Sequence, residues 1–438
     1  MTIRQVPQTD LQYYLLAFDK NGVEQGDPDA GGGKLSEKAL DALAGGVTDV
    51  FILSHGWKGD LPAAVDQYDR WIGAMAACTI DRQRARAKWP NFKPLLIGFH
   101  WPSQPFGDEK NDGSFAAESG GGEAAFIDAW ADRIVDTPAA RAALKTIFQS
   151  ALDDVEPDRL PVSVVNAYRA LERESQLGAE GVGGAPDADR EPLDPQLSYQ
   201  ESQTGDASFG GGLFDGLLSP LRQLSFWTMK KRARTVGESA GHELIRRIRG
   251  AGPHVRIHLM GHSFGCIVVS SILHGKDGVA DVHVSSAILV QGAMSHWSFC
   301  DEIPEKRGTS GYFRRVVTSR VIDGATVVTM SRFDKAVGAW YPRAATPARQ
   351  VDFGVTTTLP KYGAIGTFGI QGSGLTLETR DISTDLTADY HFAVGTIYNV
   401  NCDTVVKTGG GSSGAHSDIG HPELGHLFWE AVLVSPDQ

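Results

Sequence analysis

The sequence predicts an α/β fold, a mostly parallel sheet covered by helices on both faces. Two observations carry that expectation. Short runs such as Asp49-Val50-Phe51-Ile52-Leu53-Ser54 and Ser286-Ala287-Ile288-Leu289-Val290-Gln291-Gly292 are apolar on both faces, and they alternate with segments of helical period. The stretch Arg256 to Met260 is another such run, and it leads straight into Gly261-His262-Ser263-Phe264-Gly265, after which Cys266 to Leu273 reads as a buried helix. A strand, a sharp turn with a serine between small residues, and a helix together hold a serine hydroxyl on a strained turn. The glycines two before and two after it keep neighbouring side chains from colliding there. In a chain with 51 glycines the five-residue pattern alone is weak. Its flanking strand and helix give it weight.

The chain of 438 residues is long enough for one large domain or two to three ordinary ones. Hydrophobic content of 41% and charged content of 21% describe a soluble globular protein with ample core. The net charge of −12 argues against a nucleic-acid binder and against anionic membrane surfaces. Cys78, Cys266, Cys300 and Cys402 show no metal-like spacing, and three of them follow apolar strand or helix patterns, which predicts buried free thiols rather than a disulfide framework. The first residues lack the apolar core of a signal peptide, and no run approaches the ~18 apolar residues of a membrane span. The expectation is a cytoplasmic protein, with export by a route that reads no such signal left open.

In chain order, Tyr13 to Phe18 reads as a strand ended by the Asp19-Lys20-Asn21-Gly22 turn. A short helix at Leu35 to Leu43 and the strand Asp49 to Ser54 follow, the strand leading into His55-Gly56-Trp57. Leu61 to Cys78 has helical spacing, with Val65, Tyr68, Ile72 and Met75 as its apolar face. Lys93 to Ser103 holds the next strand and its exit loop. Then the character changes. A Gly-, Asp- and Ser-rich stretch to about 124 precedes two or three helical patterns, including Ala125 to Ile134 and Val162 to Leu171. From 176 to about 216 the composition is too polar to bury much surface, which predicts a mobile linker. Phe226 to Arg249 reads as one long helix whose basic residues, Lys230, Lys231, Arg232, Arg234, Arg246, Arg247 and Arg249, form a solvated face. After the serine turn come strands at Ser286 to Gly292 and Ala325 to Ser331, weak strand alternation at Ile365 to Leu377, a last strand from His391 to Asn401, and a helix from Leu424 to Val434. This organisation is a single domain over 1–438, with its core at 11–102 and 221–438 and a helical cap inserted at 103–220.

A serine attacks a carbonyl only if a base takes its proton and donors stabilise the oxyanion. The base is a neutral His oriented by a carboxylate, and with this turn both lie downstream of the serine, acid first. Asp334, in the loop after the Ala325–Ser331 strand, is the best-placed acid, ahead of Asp301 and Asp323. Four histidines follow it, His391, His416, His421 and His426. His416 sits in the Gly-rich loop between the last strand and the last helix, where a ring can reach the serine, and His421 is its nearest rival. Asp418 reads as a turn or cap residue. The amides of Trp57 and Phe264 are the candidate oxyanion donors, supported by His55, Gly56 and His262. A metal reading of His55, His100 and His262 is disfavoured, because no two share a ligand-like spacing on one element.

These motifs, His55-Gly56-Trp57, Gly261-His262-Ser263-Phe264-Gly265, Asp334 and Ala415-His416-Ser417-Asp418, resemble those of the α/β-hydrolase superfamily, specifically the bacterial serine esterases and lipases. The last is also similar, on those few residues, to the catalytic-histidine loop of lipases among type VI secretion effectors. The likeness covers roughly 11–102 and 224–434. It implies a sheet of about eight strands, a Ser263-Asp334-His416 triad and no cofactor; the reading adopted on that basis is a serine hydrolase acting on a small-molecule or lipid-like ester. It also implies specificity set by a cap, although this insertion falls earlier in the chain than the usual one. An amidase or peptidase on the same triad is the alternative. So is a catalytically silent scaffold that binds a protein partner through the 103–220 insertion.

Overall fold

In the computed structural model, residues 3–57, 61–103, 122–154, 157–203, 215–340 and 359–436 are described. The chain divides into two compact units. The first comprises Met1–Ser103, Arg232–Tyr341 and Phe353–Gln438, and the second Gln104–Lys231 and Pro342–Asp352.

Among the described residues the first unit is built on one sheet of nine strands. They are β1 (Ile3–Gln5), β2 (Gln12–Ala17), β3 (Asp49–Ser54), β4 (Pro94–His100), β5 (Arg256–His262), β6 (Ser286–Val290), β7 (Thr326–Met330), β8 (Leu377–Asp381) and β9 (Ile397–Asn401). Their spatial order is β1-β2-β4-β3-β5-β6-β7-β9-β8. All neighbours are parallel except β1, which pairs antiparallel with β2. Every residue of β3, β5 and β6 is buried, as both-face coverage of central parallel strands requires. The edge strand β8, Leu-Glu-Thr-Arg-Asp, is half-buried and charged, a composition that discourages pairing with another chain. The sheet exceeds the expected eight strands because β1 is three residues, Ile-Arg-Gln, too short and polar to register as a strand.

Helices cover both faces. α1 (Leu35–Leu43), α2 (Leu61–Ala77) and α3 (Thr79–Lys88) precede β4. α2, α3 and the last helix, Pro422–Leu433, share one core with alternate residues of the strands: Tyr13, Phe51, Leu53, Leu96, Met260, Ile288 and Tyr398 meet Tyr68, Trp71, Ile72, Phe428 and Trp429 there. The apolar face expected for α2 lies in this core. α3 escapes sequence reading because it buries only Asp81 and Ala85 and shows no apolar stripe. His391 lies in a loop with φ of 50°, so the last strand starts only at Ile397. The alternation around Ile365 to Leu377 resolves into a helical turn, Ile365–Phe368, and β8. All four cysteines are buried free thiols. Among the described residues no helix is long and apolar enough to cross a membrane.

The second unit is helical, with α4 (Gly122–Arg133), α5 (Pro138–Asp153), α6 (Val162–Ser175), α7 (Pro195–Gln203) and the part of α8 (Asp215–Val236) up to Lys231. α5 starts as its sequence dictates: Thr137 caps the amide of Ala140, and Pro138 takes the first helical position. Phe126, Trp130, Leu144, Phe148, Tyr168, Leu171, Tyr199 and Leu221 form its core. The stretch expected to be a mobile linker is packed between 177 and 203, while 204–214 lies outside the described residues. Val182, Asp187, Ala188, Asp189, Arg190 and Leu193 are buried. Asp189 accepts the amide of Gly183 at 2.7 Å, and Arg190 meets Glu172 at 2.9 Å. Low hydrophobicity misleads here because the charges neutralise one another inside the unit.

The long helix also departs from expectation. It begins at Asp215, and a π-helical segment, Gly237–Gly241, separates α8 from α9 (His242–Ala251). A Cβ on Gly237 would lie 2.6 Å from the Val268 carbonyl, and one on Gly241 would lie 2.4 Å from Ile272. The glycines thus let this helix press against α10 (Gly265–His274). Nor are its basic residues uniformly solvated, since Lys230 and Arg232 are buried. The Lys230 ammonium sits 4.4 Å from the centroid of the Trp227 ring.

Two predictions follow from these buried charges. Asp49, at the start of β3, accepts Arg256 Nε and Nη2 of β5 at 2.7 Å each. The Arg256 guanidinium also covers Trp89 at 3.9 Å. Burial raises the Asp49 carboxyl, but bonds from His258 and Arg256 overcome it and hold it below the usual range. Asp49→Ala leaves a buried, unpaired guanidinium and is expected to cost about 3–5 kcal/mol in urea unfolding. A loss under ~1 kcal/mol would show that the pair is not needed. In the other unit, burial pushes Lys230 down to about 7 against the pull of Asp189 and Asp187. Between that value and the ~10.4 of a solvated lysine the unfolded chain holds a proton that the folded chain has shed, so stability rises with pH across this window. Lys230→Met is expected to flatten the rise in urea midpoint between pH ~7 and ~9, and an unchanged slope would exclude this lysine as its source.

Candidate active site

β5 delivers His262 and Ser263 to the carboxyl edge of the sheet, and α10 leaves at once from Gly265. Ser263 has φ of 55°, a left-handed conformation that is strained for a residue with a side chain. Glycine is obligatory on both sides. A Cβ on Gly261 would lie 2.3 Å from the Gly265 carbonyl oxygen, and one on Gly265 would lie 2.2 Å from the Ser54 oxygen. The Ser263 amide donates to the Val290 carbonyl at 3.1 Å, which ties the turn to the end of β6.

The expected base meets this serine, and the expected acid meets that base. His416 Nε2 lies 2.8 Å from Ser263 Oγ, and His416 Nδ1 lies 2.8 Å from Asp334 Oδ2. A carboxylate can only accept, so Nδ1 carries the proton and Nε2 is left to accept the serine's. Asp334 is fully buried, and its Oδ1 accepts the Val337 amide at 3.2 Å. The loops bearing acid and base are laced together. Asp334 and Gly414 form an antiparallel bridge, and the Ala415 amide donates to the Phe333 carbonyl at 2.9 Å. A Cβ on Gly414 would stand 2.4 Å from that same carbonyl. His262 Nε2 donates to the His416 carbonyl at 2.9 Å, with the two rings 4.7 Å apart.

The rival residues have other partners. Asp301 pairs with Arg314, Asp323 with His283, His391 with Asp389, and His421 with Asp418. Asp418 organises the loop, its Oδ2 accepting the amides of Lys407 and Thr408. His426 binds Asp81 at 2.7 Å through Nδ1 and the Ala388 carbonyl through Nε2. Burial lowers this imidazole's pKa, yet the bond to Asp81 wins and raises it. Asp81, His426 and Glu430 are the one set among the described residues whose donor atoms lie close enough to hold a metal ion. Arg84 bonds both carboxylates, and both ring nitrogens are engaged, so the set is closed as an ion-pair network.

The loop after β3 passes directly over the serine. A Cβ on Gly56 would lie 2.7 Å from Ser263 Cβ and 3.0 Å from His262 Nδ1. The two amides expected to act as oxyanion donors belong to the residues that follow this contact on each segment, Trp57 and Phe264. Their rings stack at 5.4 Å. His55 braces the loop. Its amide donates to Tyr68 Oη, which donates in turn to the Phe99 carbonyl, and its Nδ1 donates to the Gly56 carbonyl at 2.7 Å. Nε2 is then an acceptor and takes the Nδ1 proton of His100 at 2.9 Å. Burial, reinforced by His100, pushes His55 down to about 3, so the ring stays neutral and acts as a brace. With His55 and His100 bonded to each other and His262 to a carbonyl, these three histidines do not converge on one point.

Sequence reasoning overlooked Gln291. It follows β6, is fully buried, has φ of 45°, and donates through Nε2 to Asp334 Oδ2 at 3.2 Å. The only signal was a polar residue at the carboxyl end of an all-apolar strand. A cavity of about 960 Å³ lies elsewhere. It is lined by Arg320, Asp323, Thr326, Thr396 and Ile397, among others, at the amino ends of β7 and β9, the opposite edge from the serine. The Ser263–His416–Asp334 array and that cavity therefore lie at opposite edges of the sheet.

No family model, curated protein or solved structure matches this chain.

The site geometry makes one direct prediction. Gly56→Ala forces a methyl into Ser263, where a displacement of about 1 Å can cost on the order of 10²-fold in reactivity. Fluorophosphonate labelling of Ser263 is expected to slow by about that factor while circular dichroism is retained. Labelling at the original rate would mean that the close approach does not constrain the serine.

Proposed function

We propose that the protein is a serine hydrolase of the α/β-hydrolase type that cleaves carboxylic esters. The observation that carries the reading is the Ser263–His416–Asp334 array, with 2.8 Å at both contacts, on a serine held at positive φ between a parallel strand and a helix. The order of serine, acid and base along the chain, from β5, the loop after β7 and the loop after β9, supports the same reading.

In this mechanism His416 Nε2 takes the Ser263 proton as Oγ attacks the ester carbonyl. The resulting oxyanion is received by the amides of Trp57 and Phe264. Asp334 holds the imidazolium and fixes its tautomer. When the tetrahedral adduct collapses, His416 returns the proton to the departing alcohol and leaves an acyl group on Ser263. Water then attacks that ester with His416 again as base, and the acid departs as Ser263 recovers its proton.

Ser263→Ala or His416→Ala is expected to lower kcat for a p-nitrophenyl ester by about 10⁴–10⁶-fold, with the fold retained. Hydrolysis by Ser263→Ala at the original rate would overturn the assignment. Matched esters and anilides compared on the intact chain separate an esterase from an amidase. Failure of a fluorophosphonate to label Ser263 would point instead to a silent scaffold.

A further inference from the structure

We infer that Gln291 is a positioning residue for the acid of the triad, and that Thr329 anchors its carboxamide in place. The inference rests on the Ser263–His416–Asp334 reading.

Three hydrogen bonds define the arrangement. The Gln291 backbone amide donates to Thr329 Oγ1 at 3.1 Å. Thr329 Oγ1 has a single proton, and it donates this to Gln291 Oε1 at 3.1 Å. The Asp334 carboxylate can only accept, so the carboxamide turns its oxygen away from it and toward the Thr329 hydroxyl. Its Nε2 faces the carboxylate and donates to Oδ2 at 3.2 Å. That oxygen is the one that accepts His416 Nδ1–H at 2.8 Å, while Oδ1 takes the Val337 amide. Three donors from three segments thus fix the plane of the carboxylate, and one of them shares the oxygen that orients the base.

The backbone supports this purpose. Gln291 adopts φ of 45° although it has a side chain, and its surroundings impose that conformation. The Gly366 amide donates to the Gly292 carbonyl at 3.0 Å, and a Cβ on Gly366 would lie 2.7 Å from the Gln291 carbonyl carbon. A Cβ on Gly292 would lie 2.5 Å from Ile365. The strand carrying Gln291 pairs with β5 on one side and β7 on the other, so the residue stands between the elements that deliver nucleophile and acid. A buried amide with its oxygen and nitrogen both committed is a rigid link between them.

Removing the Nε2 donor leaves the charge on Oδ2 less dispersed and more attractive to the His416 imidazolium. The base then keeps its proton to higher pH. Gln291→Leu in the full chain is expected to lower kcat on a p-nitrophenyl ester by about ten- to a hundredfold with KM unchanged. The acid limb of its kcat/KM profile should move to higher pH. Gln291→Glu puts a second carboxyl against Asp334, where one of the two must hold a proton; the donor contact is thereby kept, and this variant should lose less than Gln291→Leu. Thr329→Val keeps Gln291 but frees it to rotate, and should give a smaller change of the same sign. It serves as the test if the Gln291 variants do not fold. If Ser263→Ala abolishes activity while these variants keep the original kcat and pH limb, the inference fails and the triad reading stands. If Ser263→Ala remains active, the triad reading itself has failed. A loss of thermal stability with kcat and pH limb unmoved would assign Gln291 a purely architectural role and overturn the proposal.

Discussion

The carboxyl edge of the sheet depends on how closely the backbone passes itself between Ser54 and Gly265, where a single added methyl would stand 2.2 Å from a carbonyl oxygen. That crossing seats α10 against the end of β3. It forces the turn at Ser263 into a left-handed conformation and brings the loop at Gly56 over the serine. The strain is local, and it is held by neighbours that gain from the arrangement. The Ser263 amide is satisfied by β6, and its carbonyl accepts the amides of Cys266 and Ala293. A second crossing of the same kind, Gly414 under the Phe333 carbonyl, joins the loop of the acid to that of the base. Orientation in the site is therefore set by backbone against backbone, which moves less than side chains do.

What could be read in the sequence was whatever depends on neighbours in the chain. The turn at Ser263 was legible because strand, glycines and helix are contiguous. Asp334 and His416 were legible because each occupies a loop directly after a buried strand. The central strands announced themselves by being apolar on both faces. Gln291 was not legible, because its meaning lies in Thr329 and Asp334, residues on another strand and beyond it. The π-helical segment at Gly237–Gly241 was hidden for a similar reason, since its glycines answer to Val268 and Ile272 rather than to their own helix.

Charge was the property most readily misread. Polar composition between 176 and 203 suggests solvation only if the charges face water. Here Arg190 meets Glu172 and packs near Trp227, whose ring is shared with Lys230. In the other unit Arg256 lies between Asp49 and Trp89, and Arg84 ties Asp81 of α3 to Glu430 of the last helix. The buried Arg190 and Arg256 are each paired with a carboxylate and lie near an aromatic face, the two settings in which burying a cation is tolerable. Counting charges in a sequence window cannot tell such groups from a solvated face, because the partners are hundreds of residues away or in a different element.

The lacing of the acid loop to the base loop also bears on how the molecule comes to life. The serine and its base are 153 residues apart, and the base and its acid 82. They meet only once β7 and β9 have paired and the Phe333–Ala415 contact has closed. No fragment of the sheet contains all three groups, and closing such distant segments is among the slower events in folding. Recovery of the proposed esterase activity after denaturation would therefore lag behind recovery of secondary structure. On the proposed function, reactivity at one serine becomes a clock for completion of the whole sheet.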